Sequence, residues 1–200
     1  MQLSELTKDI RLYIRLEGED LNSRIKSFIN DACIQLPRKD EWAHLDQSAT
    51  FTTDDSGSYE IADFIPEPYV GITHLLQDQQ APITKTTYLD YLQSSTRTSM
   101  WAVHGQYLYI EGTDEQYNVL YSSCGTPYPL IDDDHENSAT FFYPDIIKYM
   151  AITNFLKYIG DLNEAKVAED ELTKLLIEAR AAENRARKSG RSMRMSSHNR

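Results

Sequence analysis

Apolar positions in the last third of the chain follow two helical rhythms that meet at a punctuated corner. Over residues 144–159, Ile146, Ile147, Met150, Ala151, Phe155 and Ile159 fall at helical spacing and predict one buried stripe. Pro144 suits the first helical position, where its missing N–H costs little. Gly160 stands where a left-handed C-terminal residue is wanted, and Asp161, with Glu164 three residues on, predicts the cap of a second helix. In that second helix Ala165, Ala168, Leu172, Leu175, Ala179, Ala182 and Ala186 alternate steps of three and four, the pattern of a heptad seam. Asp170–Lys174 and Glu183–Arg187 are spaced as ion pairs on its outer face. A helix over 162–187 would be roughly 40 Å long, more than a compact domain of this size needs. The seam therefore serves either the core or a neighbouring molecule.

The N-terminal pattern is also helical. Leu3, Leu6, Ile10 and Tyr13/Ile14 predict a short amphipathic helix capped by Ser4 and ended by Gly18. Leu21, Ile25, Phe28, Ile29, Ala32 and Leu36 predict a second, starting near Asp20 and stopped by Pro37. The two C-terminal helices are the expected partners of this hairpin. Between the helical ends the rhythm changes to alternation. Phe51, Tyr59 and Ile61 predict a β-hairpin turning at Asp55-Ser56-Gly57, and strands are expected around residues 72–76 and at Ile83. TYLDYLQSS suggests a brief helix. Trp101 with Val103, Leu108 with Ile110, and Tyr117, Val119 and Tyr121 predict a three-stranded meander. The fold class is thus α+β: a helical bundle from the N- and C-terminal helices, an antiparallel β-rich middle, and a long C-terminal helix with a basic tail. We expect one domain over 1–188, with helices within 3–36 and 144–187, a β-rich insertion at 48–123 and an acidic linker at 124–143. Residues 189–200 form a basic tail expected to be flexible when free.

Charge changes the picture more than composition does. Residues 1–179 carry a net charge of −17 and residues 180–200 a net charge of +6. An acidic body repels nucleic-acid phosphate. The tail holds Arg180, Arg185, Arg187, Lys188, Arg191 and Arg194, which suit an acidic surface or a phosphate backbone, but it has no aromatic residue on which a base could stack. No apolar run is long enough to cross a membrane and no signal-peptide pattern opens the chain. Cys33 and Cys124 form no metal or redox motif. Asp132, Asp133, Asp134, His135 and Glu136 are the densest group of potential metal ligands, but they lack the glycine and distal glutamate of a calcium loop and read as a solvated acidic tip. The histidines have no zinc spacing, and nucleophile-elbow, phosphate-loop and dinucleotide motifs are missing, so no catalytic residue, metal or cofactor is assigned. Thirteen tyrosines, several on the expected strands, suit either an interface or a thin sheet.

The order of these parts resembles a known family. LSELTKDIRLYI and DLNSRIKSFINDACIQL precede a β-rich middle containing WAVHGQYLYI. PDIIKYMA, a GDxxxA corner, a long charged helix and a basic tail follow. This arrangement is similar to the head-to-tail adaptor (connector, or head completion) proteins of tailed bacteriophages, above all the short-tailed ones. The resemblance implies a structural virion protein, not an enzyme, made in the host bacterial cytoplasm. It implies a ring of twelve copies that joins the portal protein to tail (nozzle or hub) proteins and lines or seals the DNA exit channel, with DNA passing through and no base recognised. Portal binding would fall to Arg180, Arg185, Arg187, Lys188, Arg191 and Arg194, and tail binding to the β-rich middle. Two other classes stay open: a cell-wall hydrolase using carboxylates of the β region or acidic loop, and a nucleic-acid-binding protein acting through the tail.

Overall fold

The computed structural model describes residues 1–18, 20–39, 42–66, 68–77 and 82–196, without the side chains of 43 and 186–196. In chain order the elements are α1 (Leu3–Ile14), α2 (Leu21–Lys39), β1 (Asp46–Thr52), β2 (Ser58–Glu60), β3 (Tyr69–Gln77), β4 (Thr84–Lys85), α3 (Tyr88–Gln93), β5 (Met100–His104), β6 (Tyr107–Tyr109), β7 (Gln116–Ser123), α4 (Ser138–Phe142), α5 (Pro144–Ile159) and α6 (Leu162–Ser196). The fold is α+β. Two compact units are built from it: a helical one from Met1–His44 with Gly125–Arg200, and a β one from Leu45–Cys124.

In the helical unit α5 is the central element, and α1, α2, α4 and α6 all pack on it. The expected stripe was too narrow. Ile152, Thr153 and Leu156 are buried with Ile146, Ile147, Met150, Ala151 and Phe155, whereas Ile159 is exposed. A helix covered on most sides is apolar on most sides. Each fully buried aliphatic or aromatic side chain here contributes about 1.5–3 kcal/mol. Gly160 closes α5 at φ 84°, its N–H donating to the carbonyls of Leu156 and Lys157. The Asp161 carboxylate then accepts from the Glu164 N–H at 3.2 Å and starts α6.

Three boundary expectations at the N-terminus need correction. Gln2, not Ser4, caps α1, and its N–H donates to the Glu5 carboxylate at 3.1 Å. Arg15, in the left-handed region at φ 52°, ends that helix ahead of Gly18. α2 runs through Pro37 to Lys39, although a proline there gives up one helical hydrogen bond and crowds the carbonyl four residues before it. The buried Trp42 indole N–H donates to Leu36 O at 2.9 Å, supplying a partner for a carbonyl of that last turn.

The β unit holds two sheets on one apolar core of Phe51, Ile61, Ile65, Ile72, Leu75, Trp101, Leu108, Ile110, Tyr117, Val119 and Tyr121. One sheet has the order β1-β7-β3, the other β2-β6-β5-β4. The expected hairpin at 48–61 is therefore no hairpin. The turn exists, with Gly57 at φ 67°, but β1 pairs with β7 and β2 with β6. The expected meander likewise reduces to the β5–β6 hairpin, and β7 becomes the middle strand of the other sheet. β7 alternates buried and part-buried residues from Tyr117 to Tyr121, which suits a strand flanked on both edges. Among the described pairings β4 with β5 is parallel and the others are antiparallel.

Candidate functional site

α6 is the element on which most of the candidate residues lie. Along its seam Ala165, Ala168 and Leu172 are buried, and Leu175 and Ala179 are half-buried. Ala182 is exposed and the side chain of Ala186 is outside the described residues. Burial moves instead to Glu183, which is 8% exposed. Past Ala179 the inward edge follows the 3.6-residue helical period and leaves the strict heptad. Glu183 is thus turned inward at this point of the helix, and its expected partner Arg187 has its side chain outside the described residues. The Glu183 carboxylate accepts a hydrogen bond from the Tyr143 hydroxyl, one residue before α5. Lys174 pairs with Glu171 at 2.6 Å, not with Asp170. That bond holds the Lys174 ammonium pKa above its ordinary value.

Of the six candidate portal-binding residues, two have described side chains. The Arg180 guanidinium donates to Lys39 O at 3.3 Å, at the C-terminus of α2, where the helix dipole favours a cation. Arg185 donates from Nε to Ala181 O on its own helix at 3.1 Å. Arg187, Lys188, Arg191 and Arg194 stand on the helical backbone, which continues to Ser196 with Gly190 inside it. One glycine costs a helix about 1 kcal/mol and does not terminate it. By register, Arg180, Arg187, Arg191 and Arg194 share one face of α6.

The acidic loop keeps Asp132, Asp133 and Asp134 exposed, as expected of a solvated tip, and its backbone also serves as a structural cap. Carbonyls of His135 and Asp133 accept from the Leu3 and Ser4 N–H groups, both at 3.0 Å, which gives partners to the open N-terminus of α1. The chain's α-amino group pairs with Glu136 and donates to Thr140 O. His135 accepts at Nδ1 from the Ile131 and Asp132 N–H groups, and Nε2 lies 3.0 Å from the Asp132 carboxylate. Lys26 pairs with Asp133 at 2.7 Å. Asn30 clamps the base of the loop, donating to Leu130 O at 3.0 Å and accepting from Leu130 N at 2.8 Å. These groups are engaged within the chain, and among the described residues no cluster is arranged to hold a metal ion.

In the β unit a groove of about 480 Å³ is lined by Asp54, Asp55, Arg97 and Glu111 among others. Arg97 bonds Glu111 at 3.3 Å and Leu92 O at 2.6 Å. The Ser56 side chain, and then the Ser56 N–H that donates to Asp54 at 2.8 Å, hold the Asp54 carboxyl below the usual range. A general acid needs the opposite shift. The tyrosines divide. Tyr117 and Tyr121 are core, and burial raises both phenols, with the Glu115 carboxylate adding to the rise at Tyr117. Tyr88, Tyr107 and Tyr109 form a cluster with His104, Tyr88 stacking on the imidazole at 4.5 Å.

Alternation did not single out the exposed apolar residues Leu12, Leu16, Val167 and Ile177. Their signal was present as apolar residues standing off the buried stripes.

A helical unit centred on α5, an extended arginine-bearing helix and a β unit with an aromatic surface define a structural interaction protein. The model of the SU10 adaptor protein family matches residues 1–200, and the chain belongs to that family of bacteriophage structural adaptors. The family is a virion component, not a known enzyme family, and as an adaptor it implies interaction with phage portal and tail proteins. A search of curated proteins returns no match. Among the described residues no helix is long and apolar enough to cross a membrane.

Proposed function

We propose that this adaptor assembles as a ring, of twelve copies, beneath the portal, and that the end of α6 grips the portal while the β unit faces the tail. The observation that carries the reading is a long helix whose arginine-bearing end has the opposite charge to the rest of the chain. Arg180, Arg185, Arg187, Lys188, Arg191 and Arg194 form the grip, and acidic pockets on the portal are its complement. Tail proteins meet the β unit at the Tyr88, His104 and Tyr107 surface, where aromatic rings offer area with polar ends. The acidic body keeps DNA from adhering as it passes through the ring and the channel is sealed or lined by the assembled copies. The protein performs no catalysis and needs no cofactor.

Deleting residues 181–200 tests the grip. The truncated chain is expected to lose co-sedimentation with purified portal rings, while the full chain binds and appears as a ring in electron micrographs. Undiminished portal binding by the truncated chain would remove the proposed role of α6.

A further inference from the structure

Two exposed faces of the helical unit carry complementary chemistry. The first is on α1, whose buried side is Leu3, Leu6, Thr7 and Ile10. Leu12 is nevertheless 66% exposed and Leu16, just past the helix, 41% exposed. Lys8, Arg11 and Arg15 surround them, lining with them and with Glu17 a shallow groove of about 350 Å³. A second groove of about 480 Å³ shares Leu12, Arg15 and Leu16 and reaches Leu156 and Ile159 at the end of α5 and Asp161 and Glu164 beyond it. Among the described residues none of the three cations forms an ion pair. Three cations against the single Glu17 leave the first groove positive around two exposed leucines, in a chain of net charge −11, and suit an acidic, partly apolar partner.

The second face is on α6, opposite its buried seam. Val167, Asp170, Lys174, Ile177 and Ala181 recur there at steps of three and four, and all five are exposed. Val167 is 53% exposed and Ile177 60%. Lys174 is neutralised by Glu171, and the carboxylates of Asp170 and Glu178 on this side form no ion pair among the described residues. The face is therefore a second helical seam bordered by the carboxylates of Asp170 and Glu178, with Lys166 one turn before Asp170.

We propose that the α1 face of one copy receives the α6 face of a second copy. Leu12 and Leu16 meet Val167 and Ile177, and Lys8, Arg11 and Arg15 meet Asp170 and Glu178. The apolar pairs supply the buried area and the charges fix partner and register. Because the two faces differ, each copy uses both, and the contact repeats head to tail, as a ring requires and a two-fold dimer does not. The inference rests on the ring reading above and adds which surfaces join.

Cysteine cross-linking of the full chain at high concentration tests the contact, with Cys33 and Cys124 buried and out of reach. L12C alone and I177C alone are expected to form no disulfide-linked species under mild oxidation. Their equimolar mixture gives a disulfide-linked heterodimer, and the chain carrying both substitutions gives a ladder of larger species. Homodimers from either single variant, or no cross-link in the mixture, would overturn the proposal. As a second arm, K8E/R11E/R15E and D170K/E178K each weaken self-association at least about tenfold, and mixing the two variants restores it. No restoration on mixing overturns the pairing. So does intact cross-linking of K8E/R11E/R15E together with lost DNA binding, which would assign the α1 face to nucleic acid. The charge variants keep the end of α6, so portal binding without cross-linking removes this contact alone. Cross-linking without portal binding removes the portal grip alone.

Discussion

Replacing Tyr143 by Phe removes one hydroxyl and leaves the Glu183 carboxylate, 8% exposed, without the hydrogen bond that the hydroxyl donates. A hydrogen bond to a charged group is worth about 1.5–3 kcal/mol, so the loss should fall in that range. With a urea m-value of about 2 kcal/mol/M for a chain of this size, the midpoint should fall by about 1 M. The bond joins the start of α5 to a point on α6 beyond the Ala165–Leu172 contacts, so its loss frees the outer part of α6 first. Trp42, with its ring 4.9 Å from that of Tyr143, reports on this unit, and Trp101 on the other. Fluorine NMR of 5-fluorotryptophan-labelled protein resolves the two during a urea titration. A double-mutant cycle with Glu183→Ala should give a coupling of at least about 1 kcal/mol. A midpoint shift below about 0.25 M for Tyr143→Phe, or strict additivity in the cycle, would refute the assigned role of the pair.

Gly160→Ala should cost about 1–2 kcal/mol from the left-handed backbone alone, since nothing lies within 4 Å of an added Cβ. Gly125→Ala should cost more in the same thermal-unfolding assay, because its Cβ would meet Ser138 Oγ at 2.5 Å and Ser138 N at 3.0 Å. Asn30→Ala takes the amide away from both the Leu130 N–H and C=O and should cost about 1–3 kcal/mol by urea denaturation. Burial pushes the Cys124 thiol up to about 11 from an ordinary 9.0. The folded state thus holds the proton more tightly. Its contribution to stability is fully present below pH 9 and is lost as pH rises through about 11. Cys124→Ala should flatten the fall in melting temperature between pH 9 and 11, and an unchanged slope would count against it.

Local signals fixed the helices better than the sheets, for physical reasons. Gly160 and Asp161 act through groups within four residues of themselves, so the corner between α5 and α6 was legible. Strand pairing is not local. Asp55-Ser56-Gly57 makes its turn, yet the residues on either side pair with β7 and β6, and alternation in β1 or β2 carries no mark of the partner chosen. Pro37 and Gly18 are stop residues that act elsewhere than expected: α2 accommodates the proline two residues before its end, and Arg15 reaches the left-handed region ahead of the glycine. The arginines of α6 were legible as a charge run. Leu12 and Ile177 were not, since a stripe-based reading discards apolar residues that fall off the stripe. The acidic loop hid its role because carbonyl oxygens, not carboxylates, cap α1.

The register Asp46↔Ser122 sets the first residues of the β unit beside its last, two neighbouring strands joined by hydrogen bonds. Entry and exit of the polypeptide are thereby zipped together, so the two ends of the segment hold each other in place. A change of length in the loops between its strands leaves that pairing, and with it the spacing of the two connections to the helices, unaltered.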